Sequence, residues 1–161
     1  MINFAPIASL IAIDLPDANA LLVQWGHKMG PLNRPNGYVR CQALLHHDEP
    51  IAVATTSSLI RETVAGCPDL NRENCIELSR LCAARSGLCR VMLRLWRELV
   101  FPTLGFACAV SYQDADMHSG NTYRFDGWTR VAYSRSGTDT RSGRKGRNKW
   151  IWVWPELPNG G

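Results

Sequence analysis

A strand, a helix and a second strand follow one another between residues 75 and 112, and this succession constrains the fold most. Residues 75–82 are predicted to form a strand, and residues 106–112 are an apolar run typical of a buried strand. Apolar residues recur at helical spacing between them, which predicts an amphipathic helix with the face Leu88, Val91, Met92, Leu95, Trp96, Leu99 and Val100. Because a helical crossover joins parallel strands, we expect these two strands side by side in one sheet.

The remaining segments extend this unit into a larger sheet with helices on its faces. The other predicted strands cover residues 7–13, 38–45, 51–57, 128–133 and 150–154. One further helix is expected to begin at Pro16, with Asp17 as its N-cap, and to end at Gly30. Two short helices are expected over 59–65 and 119–125. The sequence therefore predicts an α+β (mixed α/β) fold, a single domain over residues 1–161 whose central mixed sheet is flanked by helices.

Positive charge is concentrated in one segment rich in glycine and serine, residues 134–149, which we expect to be a flexible basic loop. The whole chain has a formal net charge of +4. A local excess of this kind indicates either a polyanionic partner or a solvated loop. As a nucleic-acid contact the loop would bind phosphates without reading bases. The side chains concerned are Arg135, Arg141, Arg144, Lys145, Arg147 and Lys149.

The cysteines and the apolar segments indicate a cytoplasmic protein. The six cysteines include no C-x-x-C pair, and Asp14 and Pro16 interrupt the first apolar run, unlike a secretory leader. We therefore expect reduced and mostly buried thiols, no metal site and no membrane-spanning segment.

Polar residues cluster where the second strand of the crossover ends. Asp114 follows this strand, and α/β sheets place ligands at the carboxyl ends of parallel strands. Asp114 suits a proton acceptor or an amine-orienting group, and it equally suits a cap of the following turn. His118 suits a proton relay or a surface position. Tyr112 and Tyr123 complete the corner, Tyr123 either as a reactive group or as part of the core.

The first strand of the crossover carries a second polar group. Side chains alternate across a strand, so Glu77 and Ser79 are expected on one face and Arg80 on the other. A buried arginine requires an anion or a carboxylate. Arg80 is therefore either a ligand-binding residue or half of a structural ion pair. We count all three as candidate catalytic residues.

The order of elements resembles that of the GNAT acyltransferases. In that superfamily the turn before the central helix binds the pyrophosphate of acyl-CoA through backbone N–H groups, an anion site at a helix N-terminus. The matching turn is Arg85-Ser86-Gly87-Leu88, so the resemblance implies an acyl-CoA donor held by these residues. It also implies that Tyr123 protonates the leaving thiolate and that Glu77 occupies a position used for a base.

Motifs in the last two-thirds of the chain resemble the Mom-type DNA modification proteins of bacteriophages, a divergent GNAT branch. They are Glu77-Leu78-Ser79-Arg80-Leu81, Ser111-Tyr112-Gln113-Asp114, His118-Ser119-Gly120, Thr122-Tyr123 and Gly127-Trp128. This resemblance implies modification of adenine in DNA at the exocyclic N6 amine, giving N6-(carbamoylmethyl)adenine. It places the protein in the cytoplasm of a host bacterium, where the mark protects phage DNA from restriction.

An adenine inside a duplex must be flipped out or taken from single-stranded DNA before it can react. The aromatic residues that are candidates for stacking on the base are Trp128, Tyr133, Trp150, Trp152 and Trp154. Because Trp150, Trp152 and Trp154 alternate along one strand, they also suit a packed core face.

Two other functions stay open at the level of sequence. One is an acetyl-CoA-dependent N-acetyltransferase that acts on a protein or a small amine. The other is a non-catalytic nucleic-acid-binding protein that has kept the fold. The candidate residues on the two strands and at the Asp114 corner favour DNA modification over the non-catalytic alternative. Acyl-CoA is the candidate donor, and the true donor is left open.

Overall fold

A seven-stranded mixed sheet forms the centre of the computed structural model, which describes residues 7–34, 37–138, 140, 143 and 146–155. Its strands are β1 (Ala8–Ile13), β2 (Val39–His46), β3 (Glu49–Ser57), β6 (Cys75–Ala83), β7 (Cys108–Asp114), β8 (Thr129–Ser134) and β9 (Lys149–Trp154). Their order across the sheet is β1-β2-β3-β6-β7-β9-β8. Two short strands, β4 (Thr63–Val64) and β5 (Cys67–Asn71), form a separate hairpin.

The crossover predicted from the sequence links the two central strands. β6 and β7 are parallel, and the other neighbouring pairs of this sheet are antiparallel. The connecting helix α2 (Leu88–Leu95) continues as a π-helical turn, Trp96–Val100, and a 3-10 turn, Phe101–Thr103. The wider π-helical turn changes the helical register, and Leu99, predicted for the buried face, is 57% exposed.

The core lies on both faces of the sheet. On one face α2 and its π-helical turn pack through Met92, Leu93 and the fully buried Trp96. The indole N–H of Trp96 donates to Thr56 Oγ1 at 2.8 Å, so its polar atom is satisfied inside the core. On the opposite face Leu22, from helix α1 (Leu15–Gln24), packs beside β2 and β3, and the β4–β5 hairpin covers β7 and β9.

Three sequence predictions about local structure were wrong. The N-cap of α1 is Asp14, whose carboxylate accepts from the N–H of Asp17, because Pro16 already occupies the first turn. This helix ends at Gln24 rather than at Gly30. Residues 59–65 do not form a helix; they lead into β4, where Leu59 and Val64 pack on the sheet instead.

A short helix, α3 (Asn121–Phe125), begins at a glycine that packs tightly against the sheet. Gly120 has φ +77°, and a Cβ there would lie 2.6 Å from both Gln113 Oε1 and Trp152 Cζ2. Glycine is therefore required at this position for two reasons: the backbone is left-handed, and the neighbouring side chains approach closely. The contact holds α3 against β7 and β9.

Gly120→Ala should destabilise the protein more than Gly105→Ala. Gly105 has the same φ of +77° with nothing within 4 Å of the added methyl group. This control therefore isolates the left-handed backbone cost, about 1–2 kcal/mol. The crowding at Gly120 should add roughly 1–3 kcal/mol. Urea unfolding measures the loss in free energy of unfolding for each variant. Equal losses would show that the Gln113 and Trp152 side chains move aside without an energetic penalty.

Candidate active site

A cleft opens where the two parallel central strands separate. β6 and β7 pair over three residues each, ending at Glu77 and Val110, although both strands continue beyond this point. Past it, β6 stays paired with β3, and β7 stays paired with β9. The resulting cavity, of about 550 Å³, is lined by both strands, by the loop after α1, by the start of α2 and by residues 117–123.

A β-bulge in β6 sets the direction of the side chains in this cleft. Thr55 and Thr56 of β3 pair with Arg80 and Leu78, so Ser79 is the extra residue. The extra residue places Glu77 and Arg80 on the same face, where both contact the loop after α1. The expectation that Glu77 and Ser79 share a face opposite Arg80 was therefore wrong, since strict alternation fails across a bulge. Ser79 lines the cleft, and its hydroxyl is hydrogen-bonded to the hydroxyl of Ser57.

Arg80 is a buried guanidinium held by backbone carbonyls. Its Nε donates to Gly30 O at 3.1 Å and its Nη1 to Ser79 O at 2.8 Å. Among the described residues no carboxylate lies within ion-pair distance of it. Burial lowers the pKa of this guanidinium, and the carboxylate of Glu77 partly opposes that effect. Arg80 lines the cleft with donor capacity left for a ligand.

Glu77 lies beneath the cleft rather than in its wall. Both of its carboxylate oxygens accept from Arg34 Nη2 at 3.3 Å, and the residue is 6% exposed. Burial raises its pKa, while Arg34 and Arg80 act in the opposite direction. Glu77 thus forms the buried ion pair that the sequence had suggested for Arg80, and Arg34 is the partner.

A chain of hydroxyl groups crosses the narrow end of the cleft. Ser111 Oγ donates to Leu78 O at 3.1 Å, which bridges the separated strands. A serine hydroxyl carries one proton, so at its 2.8 Å contact with Tyr123 the phenol is the donor. Burial raises the pKa of Tyr123 to about 12, which keeps the phenol protonated. Its ring stacks on Trp152, with 5.7 Å between ring centroids.

The Asp114 corner is fixed by its own hydrogen bonds. Asp114 Oδ1 accepts from the N–H groups of Asp116 and Met117, and Oδ2 lies 3.3 Å from Arg147 Nη1. The residue thus caps its turn and also lines the cleft. The neighbouring Gln113 accepts from the Trp152 indole at 2.8 Å and donates to His118 O. The His118 side chain is exposed at the cleft.

The turn predicted to bind phosphate opens into the same cavity. Gly87 is the N-cap of α2 with φ +86°, and no side chain caps this end of the helix. The N–H groups of the first helical turn therefore have no side-chain partner and can bind an anion. Arg85, Ser86, Gly87 and Cys89 line the cleft, whereas Leu88 does not.

The cleft is electropositive. Among the described residues, four cationic side chains and one carboxylate line it: Lys28, Arg80, Arg85, Arg147 and Asp114. His27, from the loop after α1, also lines it and stays neutral, because its burial and the nearby positive charges, that of Arg80 above all, lower its pKa to about 4. The Nδ1 atom of His27 accepts from Met29 N at 3.2 Å, so the proton of the neutral ring is on Nε2.

Tyr112 lines the cleft as predicted, with its hydroxyl in a partly buried setting. Burial raises the pKa of Tyr112 to about 12, and the charge of Glu77 adds to this effect. Lys149 Nζ lies 5.9 Å from the centroid of its ring.

Of the predicted nucleic-acid contacts, Arg135, Arg147 and Lys149 are described, whereas Arg141, Arg144 and Lys145 lie outside the described residues. Arg147 reaches the cleft through its contact with Asp114. Of the stacking candidates, Trp128 and Trp152 are core residues, 4% and 2% exposed.

Sequence reasoning missed four residues that shape the site: His27, Arg34, Ser111 in its contact with Tyr123, and Gln113. His27 and Arg34 come from a loop without regular periodicity, so no pattern could place them. Ser111 and Gln113 lie on the same face of β7, and the alternation of side chains along a strand could have predicted this shared face. The part of the chain that the structure describes contains no cluster of three metal-ligating side chains and no helix long and apolar enough to cross a membrane.

No family model matches the sequence, and no curated protein matches it. Solved structures match its fold. The ribosomal-protein-S18-alanine N-acetyltransferase from Escherichia coli gives a TM-score of 0.61 at 16% identity, covering 95% of this chain and 96% of that one. A mutant spermidine N-acetyltransferase from Vibrio cholerae gives 0.63 at 10% identity, covering 91% and 92%. The Salmonella typhimurium acetyltransferase that modifies the N-terminal serine of ribosomal protein L7/L12 gives 0.62 at 11% identity, covering 92% and 95%.

At such low identities the likeness shows the fold alone. The chain has the fold of the GNAT N-acetyltransferases, and the prediction of a GNAT-like α+β architecture is confirmed.

His27 should make stability depend on pH in a recognisable window. In the unfolded chain its pKa returns to about 6.5, whereas in the folded protein it is about 4. As the pH falls from 6.5 to 4, the unfolded chain takes up a proton that folded His27 does not. Stability is therefore full above this window and is lost within it. The Tm of His27→Gln should fall less steeply than that of the wild type.

His46→Gln is the matched control, since His46 is exposed at the end of β2. Its Tm should follow the wild-type pH profile. Parallel Tm profiles for His27→Gln and the wild type would contradict the assigned environment of His27.

Proposed function

We propose that this protein is a transferase that moves a group from a CoA thioester, or a similar phosphate-bearing donor, to an amine. One observation carries the proposal: the free N-terminus of α2 and the phenol of Tyr123 line the same cleft. The helix N-terminus and Arg85 suit the phosphates of the donor. Tyr123 suits the leaving group, because its raised pKa keeps the phenol protonated, so that a proton is available beside the leaving sulfur.

With an acyl-CoA donor, the acyl group would move from sulfur to the amine nitrogen in the following way. The amine nitrogen attacks the thioester carbonyl, a C–N bond forms, and the C–S bond breaks with its electron pair on sulfur. The leaving thiolate takes the proton of Tyr123, and the Ser111 hydroxyl turns from Leu78 O to stabilise the phenolate. Asp114 orients the amine through Oδ2, and the exposed imidazole of His118 takes the proton that the nitrogen loses.

We propose adenine in DNA, at its N6 amine, as the acceptor. The support is electrostatic. Lys28, Arg80 and Arg147 line the cleft, while Asp114, the one carboxylate that lines it among the residues that the structure describes, is already paired. A polyanionic acceptor is attracted to such a site, and a polyamine is repelled by it. The product implied by the motif resemblance, N6-(carbamoylmethyl)adenine, is joined through a methylene carbon. Simple acyl transfer would instead give an N6-amide, so the mass of the product distinguishes the two chemistries.

A second candidate acceptor is the amine of a protein or of a small molecule. The specific observation in its favour is the set of structural neighbours, whose named acceptors are a ribosomal-protein alanine, an N-terminal serine and spermidine. The positive cleft argues against a spermidine-like acceptor here, but it is compatible with an acidic protein.

Tyr123→Phe should lower the rate of transfer by roughly 10²- to 10⁴-fold, because the proton donor is lost while the aromatic stack is kept. Nucleoside mass spectrometry of plasmid DNA from expressing cells measures this. The wild type should give a heavier adenosine, and Asp114→Asn should also lose it.

Phe125→Tyr serves as the control, since Phe125 is 65% exposed and does not line the cleft. Unmodified DNA from folded wild type, together with acetylation of an amine by acetyl-CoA, would transfer the assignment to the second candidate. Full activity in Tyr123→Phe would remove this phenol from the mechanism.

Neutralising Arg141, Arg144, Lys145 and Arg147 together should weaken DNA binding and reduce its dependence on salt. Each lost phosphate contact lowers the slope of log K against log salt by about 0.7 for single strands and about 0.9 for duplex DNA. Titrations of a labelled oligonucleotide at several salt concentrations measure the slope. A slope equal to that of the wild type would mean that these residues do not contact phosphates.

A further inference from the structure

An aromatic and cationic cluster lies at the edge of the sheet next to the cleft. It consists of Arg130 and Tyr133 on β8 and Trp150 on β9, which we call the edge cluster. Tyr133 pairs with Trp150 across the strands, with 4.6 Å between ring centroids at 60°. The guanidinium of Arg130 lies over the Trp150 ring, 4.0 Å from its centroid.

The edge cluster is accessible, unlike the neighbouring aromatic residues. Tyr133 is 42% exposed, Arg130 is exposed and Trp150 is partly buried, whereas Trp152 lies in the core. Isolated exposed aromatic residues are common. Here, however, the exposed Tyr133 ring packs beside Trp150, and Arg130 stacks over Trp150, so an exposed aromatic ring and a positive charge lie side by side.

The register of the sheet places the edge cluster close to the reactive corner. Trp150 pairs with Gln113, and the next residue, Lys149, pairs with both Asp114 and Ser134. Adjacent strands are about 4.8 Å apart, so Trp150 is one strand away from the wall of the cleft. Neither β8 nor β9 contains a carboxylate, and the flanking cations Arg130, Arg147 and Lys149 share one sign.

We propose that the edge cluster binds single-stranded DNA by stacking a base that flanks the target adenine. The inference rests on the proposed DNA substrate and specifies its form. Bases in a duplex already cover each other's faces, whereas an unpaired base offers a free π-face for Tyr133. Arg130 then contacts an adjoining phosphate, and the strand continues along the wall toward Asp114 and His118.

Fluorescence anisotropy with a fluorescein-labelled oligodeoxynucleotide, single-stranded or annealed to its complement and without any donor, tests this proposal. Tyr133→Ala should weaken single-strand binding about tenfold, the scale of one lost stacking contact, and leave the salt slope unchanged. Duplex binding should change less. Arg130→Ala should weaken binding and lower the single-strand slope by about 0.7. Tyr133→Phe, which keeps the ring, should bind as the wild type does and guards against loss of folding.

Phe125→Ala is the matched control, because Phe125 is also an exposed aromatic next to an arginine, Arg90 at 5.2 Å, but lies outside the cleft and the basic segment. It should bind single strands as the wild type does. Three results would each overturn the inference: wild-type affinity in Tyr133→Ala, equal losses of affinity in Tyr133→Ala and Phe125→Ala, or tighter binding of RNA of the same sequence.

Binding and modification are separate readouts, so the two proposals fail separately. Single strands bound through Tyr133 without any modified adenine would overturn the proposed reaction and support the edge cluster. Modified adenine with unchanged single-strand affinity in Tyr133→Ala would overturn only the proposal that the edge cluster binds single-stranded DNA.

Discussion

β6 and β7 stop exchanging backbone hydrogen bonds after Glu77 and Val110, and this separation opens the cleft. Two neighbouring strands that part leave backbone donors and acceptors facing each other without partners, which is costly unless something replaces them. Ser111 replaces one such bond by donating to Leu78 O. The remaining edges face the cavity, where an extended ligand with amide groups can pair with them as an added strand would. The bulge at Ser79 lets β6 diverge while it stays bonded to β3.

The side of the cleft formed by the end of β7 and by α3 is held in place by hydrogen bonds and packing contacts with the core. Gln113 bonds the Trp152 indole and the carbonyl of His118, and Gly120 packs directly on both Gln113 and Trp152. At the end of α3, Asp126 accepts from Arg97 at 2.8 Å and from the Trp128 indole at 2.9 Å. Tyr123 is thereby held between two fixed ends of a five-residue helix. Such a helix would not be stable alone, so tertiary contacts supply the position of its phenol.

Sequence patterns placed the parts of this fold that depend on periodicity. The β6–α2–β7 crossover and the strands on either side of it follow from alternation and helical spacing. The bulge could not be predicted, because one extra residue leaves no signal in a nine-residue strand. It places Glu77 and Arg80 on the same face, whereas strict alternation had assigned them to opposite faces. The predicted helix over 59–65 failed for a related reason, since packing on β7 and β9 outweighs local propensity in so short a segment.

The sequence was enough to predict which residues meet at the candidate site, but it did not predict most of the contacts that hold them there. Asp114, His118, Tyr123, Ser79 and Arg80 do meet at one cleft, because β6 and β7 end at the same edge of the sheet. Their partners come largely from loops: Gly30 for Arg80, Arg34 for Glu77 and Arg147 for Asp114. Loops have no periodicity, and a pairing between distant loop residues cannot be deduced from one sequence.

The balance of charge in the cleft explains why these partners matter for function. A buried guanidinium costs free energy when it is removed from water, and the carbonyls of Gly30 and Ser79 offset only part of that cost for Arg80. Burial and the nearby cations hold His27 neutral, which avoids adding another positive charge beside Arg80. An anionic ligand relieves this unfavourable field, and a cationic one increases it. Because the proposed phosphate-bearing donor and the proposed DNA acceptor are both anionic, each should bind more tightly here than a polyamine such as spermidine, after which a similarly folded enzyme is named.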